Sequence, residues 1–513
     1  MLVVGSNMTE AHPIVGLHVK WAHARGARLI VVDPRAVTLT KEAELHLQLA
    51  PGTNVAVING MLKVIIEEQL YNKAFIEEHT TGWDELCKLI SEVSLDDVVD
   101  TTGVPKNDII KAARYYASSK RAIILSGLGV DEHQYGTEGM FALINLSLAT
   151  GNIGYPGTGV FCLRGQNNVQ GSSDMGCLPH VFPSSQPVTD EAARNKFAKA
   201  WNKEGKLPDW IGKKSTQMMD SAVDGQMKAL YIWGEDPAQT HGNLHNIRNA
   251  LSNLEFLVYQ DMFMTETARF ADVILPVSSF AEKDGTFTNT ERRVRLLNKA
   301  SEPLEGTKPD WVIFKELSNR FGLETNFNDT AAIYDEMASL STYFQGISHK
   351  RLGSKGLQWP CTDSQHPGSE RLYVNGFPKG KAKFYAIPYR QQSEFISDKY
   401  PFILITGRRL YHFNNAAQTI NTQTTTEKEE FLCINPNDMK RLKLTNGQKV
   451  RLISRRGEVI ITVRGNEAML EATVFTAFHH KEVLINYLIG GPRDTYTDTY
   501  NYKSTPVRIE PVQ

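Results

Sequence analysis

Two stretches of this chain carry the same device at the same spacing, and that repetition restricts the fold more than any other feature. The apolar run Leu2 to Val4 stops at Gly5-Ser6-Asn7, a helical pattern follows, and the run Arg28 to Val32 stops at Asp33-Pro34-Arg35. Further on, Ala229 to Trp233 stops at Gly234-Glu235-Asp236-Pro237, a helical pattern again follows, and Phe256 to Tyr259 stops at Gln260-Asp261. Gly5 and Asp33 are 28 residues apart, Gly234 and Asp261 27. Strand, helix and strand at this spacing make a β-α-β unit, whose parallel strands gather polar residues at their carboxyl ends, where open α/β sheets bind ligands. Two similar units imply two similar ligands.

In the first unit Thr9 is a candidate cap for a helix carrying Ile14, Leu17, Trp21 and Ala24 at helical spacing, ended by Gly26; the second has Leu244, Ile247, Leu251 and Leu254. A glycine at a strand end lets the backbone approach a phosphate, and the helix after it offers free N–H groups. A carboxylate at the next strand end can accept hydrogen bonds from a guanine or a ribose. Polar strand ends that merely face water are the alternative, which the matched pair weakens. Neither unit has the Gly-x-Gly-x-x-Gly of a nicotinamide or flavin site, so those cofactors are disfavoured.

The rest of the chain sets bounds. At 513 residues it exceeds a single core, and its composition, 41% hydrophobic and 22% charged, is that of a folded soluble protein with about three domains. A net charge of -1 supplies no field to gather nucleic acid or an anionic membrane. Cys87, Cys162, Cys177, Cys361 and Cys433 show no Cys-x-x-Cys spacing, so the pattern reads as reduced thiols of a cytoplasmic protein, with no metal site or cluster of its own. No apolar run is long enough to span a bilayer, and the first residues lack the pattern of a signal peptide. They read as the end of a buried strand.

Helical patterns are expected at about 54–70 and 106–117, and Ala122 to Leu125 is a strand ending in Ser126-Gly127-Leu128-Gly129. The stretch Arg164 to Gly176 has one fixed cation, many amides and three glycines, with too few apolar residues in phase for a helix or strand, and reads as a polar loop. Ala271 to Pro276 is another strand; Glu282 to Arg295 is a polar segment, either a solvated loop or a channel lining. Residues 341–400, rich in Gly, Pro, Ser and Lys, are expected to cross the surface as a connection. From Phe402 the texture becomes short strands, including two apolar runs flanking a turn at Arg456-Gly457, which predicts a small β-barrel.

Arg-Gly-Gln-Asn-Asn-Val-Gln-Gly at 164–171, Thr-Gly-Asn-Ile-Gly at 150–154, Gly-Glu-Asp-Pro at 234–237, Ala-Asp-Val-Ile-Leu-Pro at 271–276 and Thr-Gly-Arg at 406–408 together resemble the molybdopterin oxidoreductase family, and within it the formate dehydrogenases. The resemblance runs the length of the chain. It implies an α/β fold in four consecutive segments: a dinucleotide-binding domain at 1–166, a second α/β domain at 167–340, a connection at 341–400 and a closing β-barrel at 401–513. The implied cofactor is bis-molybdopterin guanine dinucleotide holding molybdenum or tungsten. Gly5, Asn7, Asp33 and Arg35 would face one nucleotide; Gly234, Glu235, Gln260 and Asp261 the other; Thr406, Arg408 and His412 would contribute from the barrel. His412 taken alone reads as a structural histidine.

The resemblance places Arg164 beside the metal, where a planar guanidinium orients formate, and Gln166 at the pterin or substrate. Formate and iron–sulfur electron-transfer subunits are the implied partners. Nitrate or another oxyanion is the alternative substrate, and a catalytically silent pterin-binding scaffold the alternative role. The family's cysteine-ligated 4Fe-4S domain and its metal-ligating selenocysteine or cysteine, which precede the first strand, have no counterpart here. The expectation is therefore a portion of a catalytic subunit that begins after a selenocysteine codon.

Overall fold

The computed structural model describes residues 1–422 and 429–512. They form two compact units, and each draws on separated stretches of chain. The first comprises Met1–Leu163, Pro237–Ile247 and Tyr373–Gln513; the second Arg164–Asp236 and Arg248–Leu372. This grouping does not follow the consecutive segments 1–166, 167–340, 341–400 and 401–513. The chain leaves the first unit after Leu163, returns to it for eleven residues at Pro237, and rejoins it finally at Tyr373.

The first unit holds a five-stranded, all-parallel sheet in the order Leu45–Leu47, Ile30–Val32, Leu2–Val4, Ile123–Ser126, Gly159–Cys162. Successive side chains of a strand point to opposite faces, and here both faces are covered. Leu2, Val4, Ile30, Val32 and Ile124 enter the core shared with the helix Asn54–Glu67, whereas Val3, Val31 and Leu125 pack with Met8, Val19 and Leu39 on the other side. That two-sided burial is why these strands are uninterrupted apolar runs. The order reverses beside Leu2–Val4, so the switch point of this doubly wound sheet lies between Leu2–Val4 and Ile123–Ser126.

The same unit contains a closed six-stranded barrel: Phe402–Gly407, Thr473–Ala477, Phe431–Ile434, Glu458–Gly465, Lys449–Ile453 and Thr505–Pro511. Phe402, Leu404, Leu432, Ile434, Val450, Leu452, Val463, Val474 and Val507 fill its core. The hairpin expected around Arg456-Gly457 is present, with Ser454 N–H donating to Gly457 O at 2.9 Å.

In the second unit Ala229–Trp233, Phe256–Asp261 and Val273–Pro276 form a parallel sheet with Phe256–Asp261 in the centre. Gly285–Thr288, Arg293–Leu297 and Leu357–Gln358 form an antiparallel one. The segment Glu282 to Arg295, left open between loop and channel lining, therefore contains a hairpin.

Three local expectations are corrected. The helix expected from Thr9 is split at His12 into Met8–Ala11 and Pro13–Ala24, because the residue before a proline is driven out of the helical region, and His12 has φ −139° and ψ 61°. Thr9 does not cap it, and its stripe Ile14, Leu17 and Trp21 is exposed while Gly16 and Val19 are buried. The polar stretch 164–176 contains a six-residue helix, Val169–Asp174. Tertiary contact supplies what its composition lacks: Asn168 turns left-handed at φ 60° and its side-chain oxygen accepts the Thr288 N–H at 3.0 Å.

The third concerns 341–400, which is no mere surface connection. Phe344, Ile347, Leu352 and Cys361 are core residues of the second unit. In the first unit Ala382–Lys383 pairs with Thr80–Thr81, and Phe384 lies in the core. Asn59 donates to Ile387 O at 2.9 Å and Asn145 to Tyr385 O at 2.7 Å, so two buried amides pin this irregular backbone.

Candidate functional sites

In the first unit, Gly5 has φ +57°, and a Cβ there would stand 2.6 Å from the carbonyl carbon of Gly129. The Gly129 N–H donates to Gly5 O at 3.0 Å. The switch-point loops thus close on one another, and the glycine serves that crossing. Asn7 is half-buried and its side-chain oxygen accepts from the Thr9 hydroxyl at 3.0 Å. Asp33 is buried, accepts the Arg35 N–H at 2.9 Å, and has its pKa raised by burial against the pull of Arg35. The Arg35 guanidinium lies 3.9 Å from the ring centre of Phe475, on a barrel strand.

Thr406 donates to Tyr502 O at 2.8 Å, and its own carbonyl accepts from Lys503 at 3.0 Å, which pairs with Glu132 at 2.6 Å. Arg408 donates through Nε to His412 O at 2.9 Å and through Nη1 to Ala11 O at 3.3 Å; burial lowers its pKa. His412 is buried, bonded through Nδ1 to the Thr419 hydroxyl at 2.9 Å.

Sequence reasoning missed what surrounds His412. Its ring is 5.6 Å from that of His479 and 5.2 Å from that of His480. His479 must donate through Nδ1 to Asn414 O at 2.7 Å and accept at Nε2 from the Arg409 N–H at 3.1 Å, which defines a neutral tautomer. Burial accordingly brings its pKa down to about 3. Glu430 pairs with Arg409 at 3.2 Å and accepts the His479 N–H at 2.9 Å. Asn486 donates to Thr240 O at 2.8 Å, and Gln239 donates to His479 O at 3.0 Å. A pair of histidines just past a strand parallel to Phe402–Gly407 was the available signal, since parallel neighbours end on one side.

In the second unit Gly234 has φ +63°, and a Cβ there would find nothing within 4 Å. Glu235 is exposed. Gln260 is fully buried, accepts from the Tyr231 hydroxyl at 2.5 Å and donates to Asp310 at 3.0 Å, so both ends of its amide are engaged. Asp310 also receives Trp233 Nε1–H at 2.7 Å and pairs with Lys283. Asp261 accepts the N–H groups of Met262 at 2.6 Å and Phe263 at 3.1 Å and the Tyr259 hydroxyl at 2.9 Å; burial raises its pKa. Arg164 and Gln166 are exposed. The Arg164 N–H donates to the Thr290 hydroxyl at 2.9 Å, and its Nε to Gln170 at 3.2 Å.

Residues 1–320 match the family described as Molybdopterin oxidoreductase, and residues 402–506 the Molydopterin dinucleotide binding domain. The chain belongs to the molybdopterin oxidoreductase family. Among curated members of that family, it is 40% identical to the F420-dependent formate dehydrogenase subunit alpha of Methanocaldococcus jannaschii, over 99% of this chain and 76% of that one. It is 39% identical to the F420-dependent formate dehydrogenase 2 subunit alpha of Methanococcus maripaludis, over 100% and 76%. Formate dehydrogenase H of Escherichia coli is 38% identical over 100% and 73%. The solved structure of acetylene hydratase from Pelobacter acetylenicus, 20% identical, superposes with a TM-score of 0.78 over 100% of this chain and 77% of that one, and shares the fold.

A dinucleotide of this family asks for donors and acceptors around a polar heterocycle. Among the described residues, His480 Nε2 and Asn486 Oδ1 are buried without a hydrogen-bond partner, an arrangement that costs stability unless a ligand completes it. The first unit therefore fits the group. No described helix is long and apolar enough to cross a membrane.

Proposed function

We propose that this chain is catalytic-subunit sequence of a formate dehydrogenase, acting on formate with bis-molybdopterin guanine dinucleotide carrying molybdenum or tungsten. Similarity over the full chain to relatives named formate dehydrogenase carries this reading. The bound metal and pterin supply the two-electron oxidation of formate to carbon dioxide. The protein's part is binding and orientation. Arg164 is the catalytic residue: its permanently charged, planar guanidinium takes the formate carboxylate and sets the direction of the C–H bond. Gln166 lies two residues on and offers an amide to substrate or pterin.

Gly5, Asn7, Asp33 and Arg35 serve one nucleotide, with Thr406, Arg408 and His412 alongside. Gly234, Glu235 and Asp261 serve the other, and Gln260 supports that loop through the Gly234 N–H, which donates to Gln260 O at 2.9 Å. His480 and Asn486 complete their bonding on the pterin. Iron–sulfur subunits are the partners that would take up the two electrons.

Metal and pterin analysis of the purified enzyme, combined with formate-dependent dye reduction, tests the reading. The expected result is pterin and metal content with formate turnover; Arg164→Lys should lower that turnover about 100-fold and leave pterin content unchanged. Reduction of nitrate without formate oxidation would reassign the substrate. Pterin content with neither activity would make the chain a binding scaffold.

A further inference from the structure

The Arg164 side chain is the first member of a hydrogen-bonded series that runs into the interior of the second unit. Its Nε–H donates to Gln170 Oε1 at 3.2 Å, and Gln170 Nε2–H donates to Asp174 Oδ1 at 2.9 Å. The other carboxylate oxygen, Oδ2, receives the Trp359 Nε1–H at 3.0 Å. Gln170 and Asp174 face the same side of the short helix because they are four residues apart. An indole N–H can only donate, so Trp359 requires an acceptor at Oδ2. An ionised Asp174 then offers Oδ1 as a second acceptor, which turns the Gln170 amide nitrogen inward and its oxygen toward Arg164. The direction of every bond follows from these two facts.

We propose that Gln170 and Asp174 are positioning residues that hold the Arg164 guanidinium plane for its carboxylate substrate while Asp174 is ionised, and release it when Asp174 takes up a proton. The proposal rests on the formate reading. With Trp359 occupying Oδ2, the incoming proton sits on Oδ1 and makes it a donor. The Gln170 amide must then turn its oxygen inward, and its NH2 group meets the Arg164 N–H donor to donor. The hold on Nε is lost, and with it the orientation of the fork.

Burial brings the Asp174 pKa up to about 6, against the bonds from Gln170 and Trp359 and the charge of Arg164. Groups around it include Tyr334, whose pKa is raised by burial and by Asp174, Cys361, which also acts on Tyr334, Arg292 at 5.5 Å from the Trp359 ring, and His349, whose ring lies 6.0 Å from that of Tyr334 and whose pKa burial lowers. Tyrosine and cysteine keep their protons and arginine its charge in this range, so Asp174 and His349 are the members of this set that change state, and the Asp174→Asn background separates them. Formate itself stays ionised.

The test uses the cofactor-loaded enzyme. Wild type should show kcat/KM for formate falling as pH drops through about 6, with the change in KM. Asp174→Asn should lose that inflection, because the neutral amide cannot accept from both Gln170 and Trp359 and no longer titrates. Gln170→Ala should raise KM about tenfold above pH 6, where wild type holds the guanidinium, to a value that no longer changes with pH, with kcat less affected. A readout independent of turnover is the fluorescence of Trp359, taken as the difference between wild type and Trp359→Phe. It should titrate with a midpoint near 6 in wild type and not in the Asp174→Asn background.

An inflection that survives in Asp174→Asn, an unchanged KM in folded Gln170→Ala, or a Trp359 signal without that midpoint overturns the relay and leaves the formate reading standing. Pterin-loaded wild type that does not turn over formate overturns both.

Discussion

Gly5 and Gly234 occupy equivalent places in two β-α-β units of nearly equal spacing, and their backbones are alike, with φ +57° and +63°. Their surroundings are not. Around Gly5 the space a side chain would take is filled by the Gly129 backbone, whereas at Gly234 it is open. The first glycine is needed by the protein's own packing; the second is needed for its turn and leaves room. A sequence repeat reports the conformation that a strand end must adopt, and the use of that conformation depends on what other segments arrive there.

The sharpest way to break this comparison is to add one methyl group at each position. Gly5→Ala combines a left-handed conformation with a clash against backbone that cannot swing away, and should destabilise the protein by about 3 kcal/mol in chemical denaturation. Gly234→Ala should cost about 1 kcal/mol, from conformation alone. Equal losses would mean that the Gly5–Gly129 crossing yields or that the space at Gly234 is filled. If Gly234 instead admits a phosphate, Gly234→Ala should reduce pterin content more than its small loss of stability explains.

A smaller effect separates the surroundings of His479 from those of Asp174 by the sign of their response to acid. Burial brings His479 down to about 3 and His133 down to about 4. A histidine with a lowered folded pKa binds fewer protons folded than unfolded, so its contribution is present above its unfolded pKa, near 6.5, and is lost as pH falls below that. Asp174 is the reverse case, raised to about 6. The folded state holds the extra proton, and stability from this group grows as pH falls from 6 toward the unfolded carboxylate range. As pH is lowered from 6.5 to about 4, hydrogen-exchange protection factors should therefore fall for peptides around 473–486 and rise for those around 164–176. Asp174→Asn should abolish the rise alone; a rise that persists would assign it to another group.

The sequence by itself determined the parallel sheet strands, the barrel and the family. Runs such as Leu2–Val4 and Ile30–Val32 are apolar at every position because both faces of the sheet are covered, and the short apolar strands of the barrel, such as Phe402–Gly407 and Thr473–Ala477, leave an equally local imprint. The family rested on short motifs read together. Tertiary structure alone decided the rest, because the decisive partners are far away in the chain. Asn168 starts a helix by accepting from Thr288, 120 residues on; Asn59 and Asn145 anchor a stretch whose composition reads as surface; and Trp359 orients Asp174, 185 residues away. The helix stripe Ile14, Leu17 and Trp21 has the spacing of a buried face and is exposed, since periodicity describes which residues share a face and not what that face meets. Arg164 was legible as a cation in a polar stretch. That its guanidinium is held by an amide whose direction depends on one buried carboxylate could be seen only once the fold had brought Gln170, Asp174 and Trp359 together.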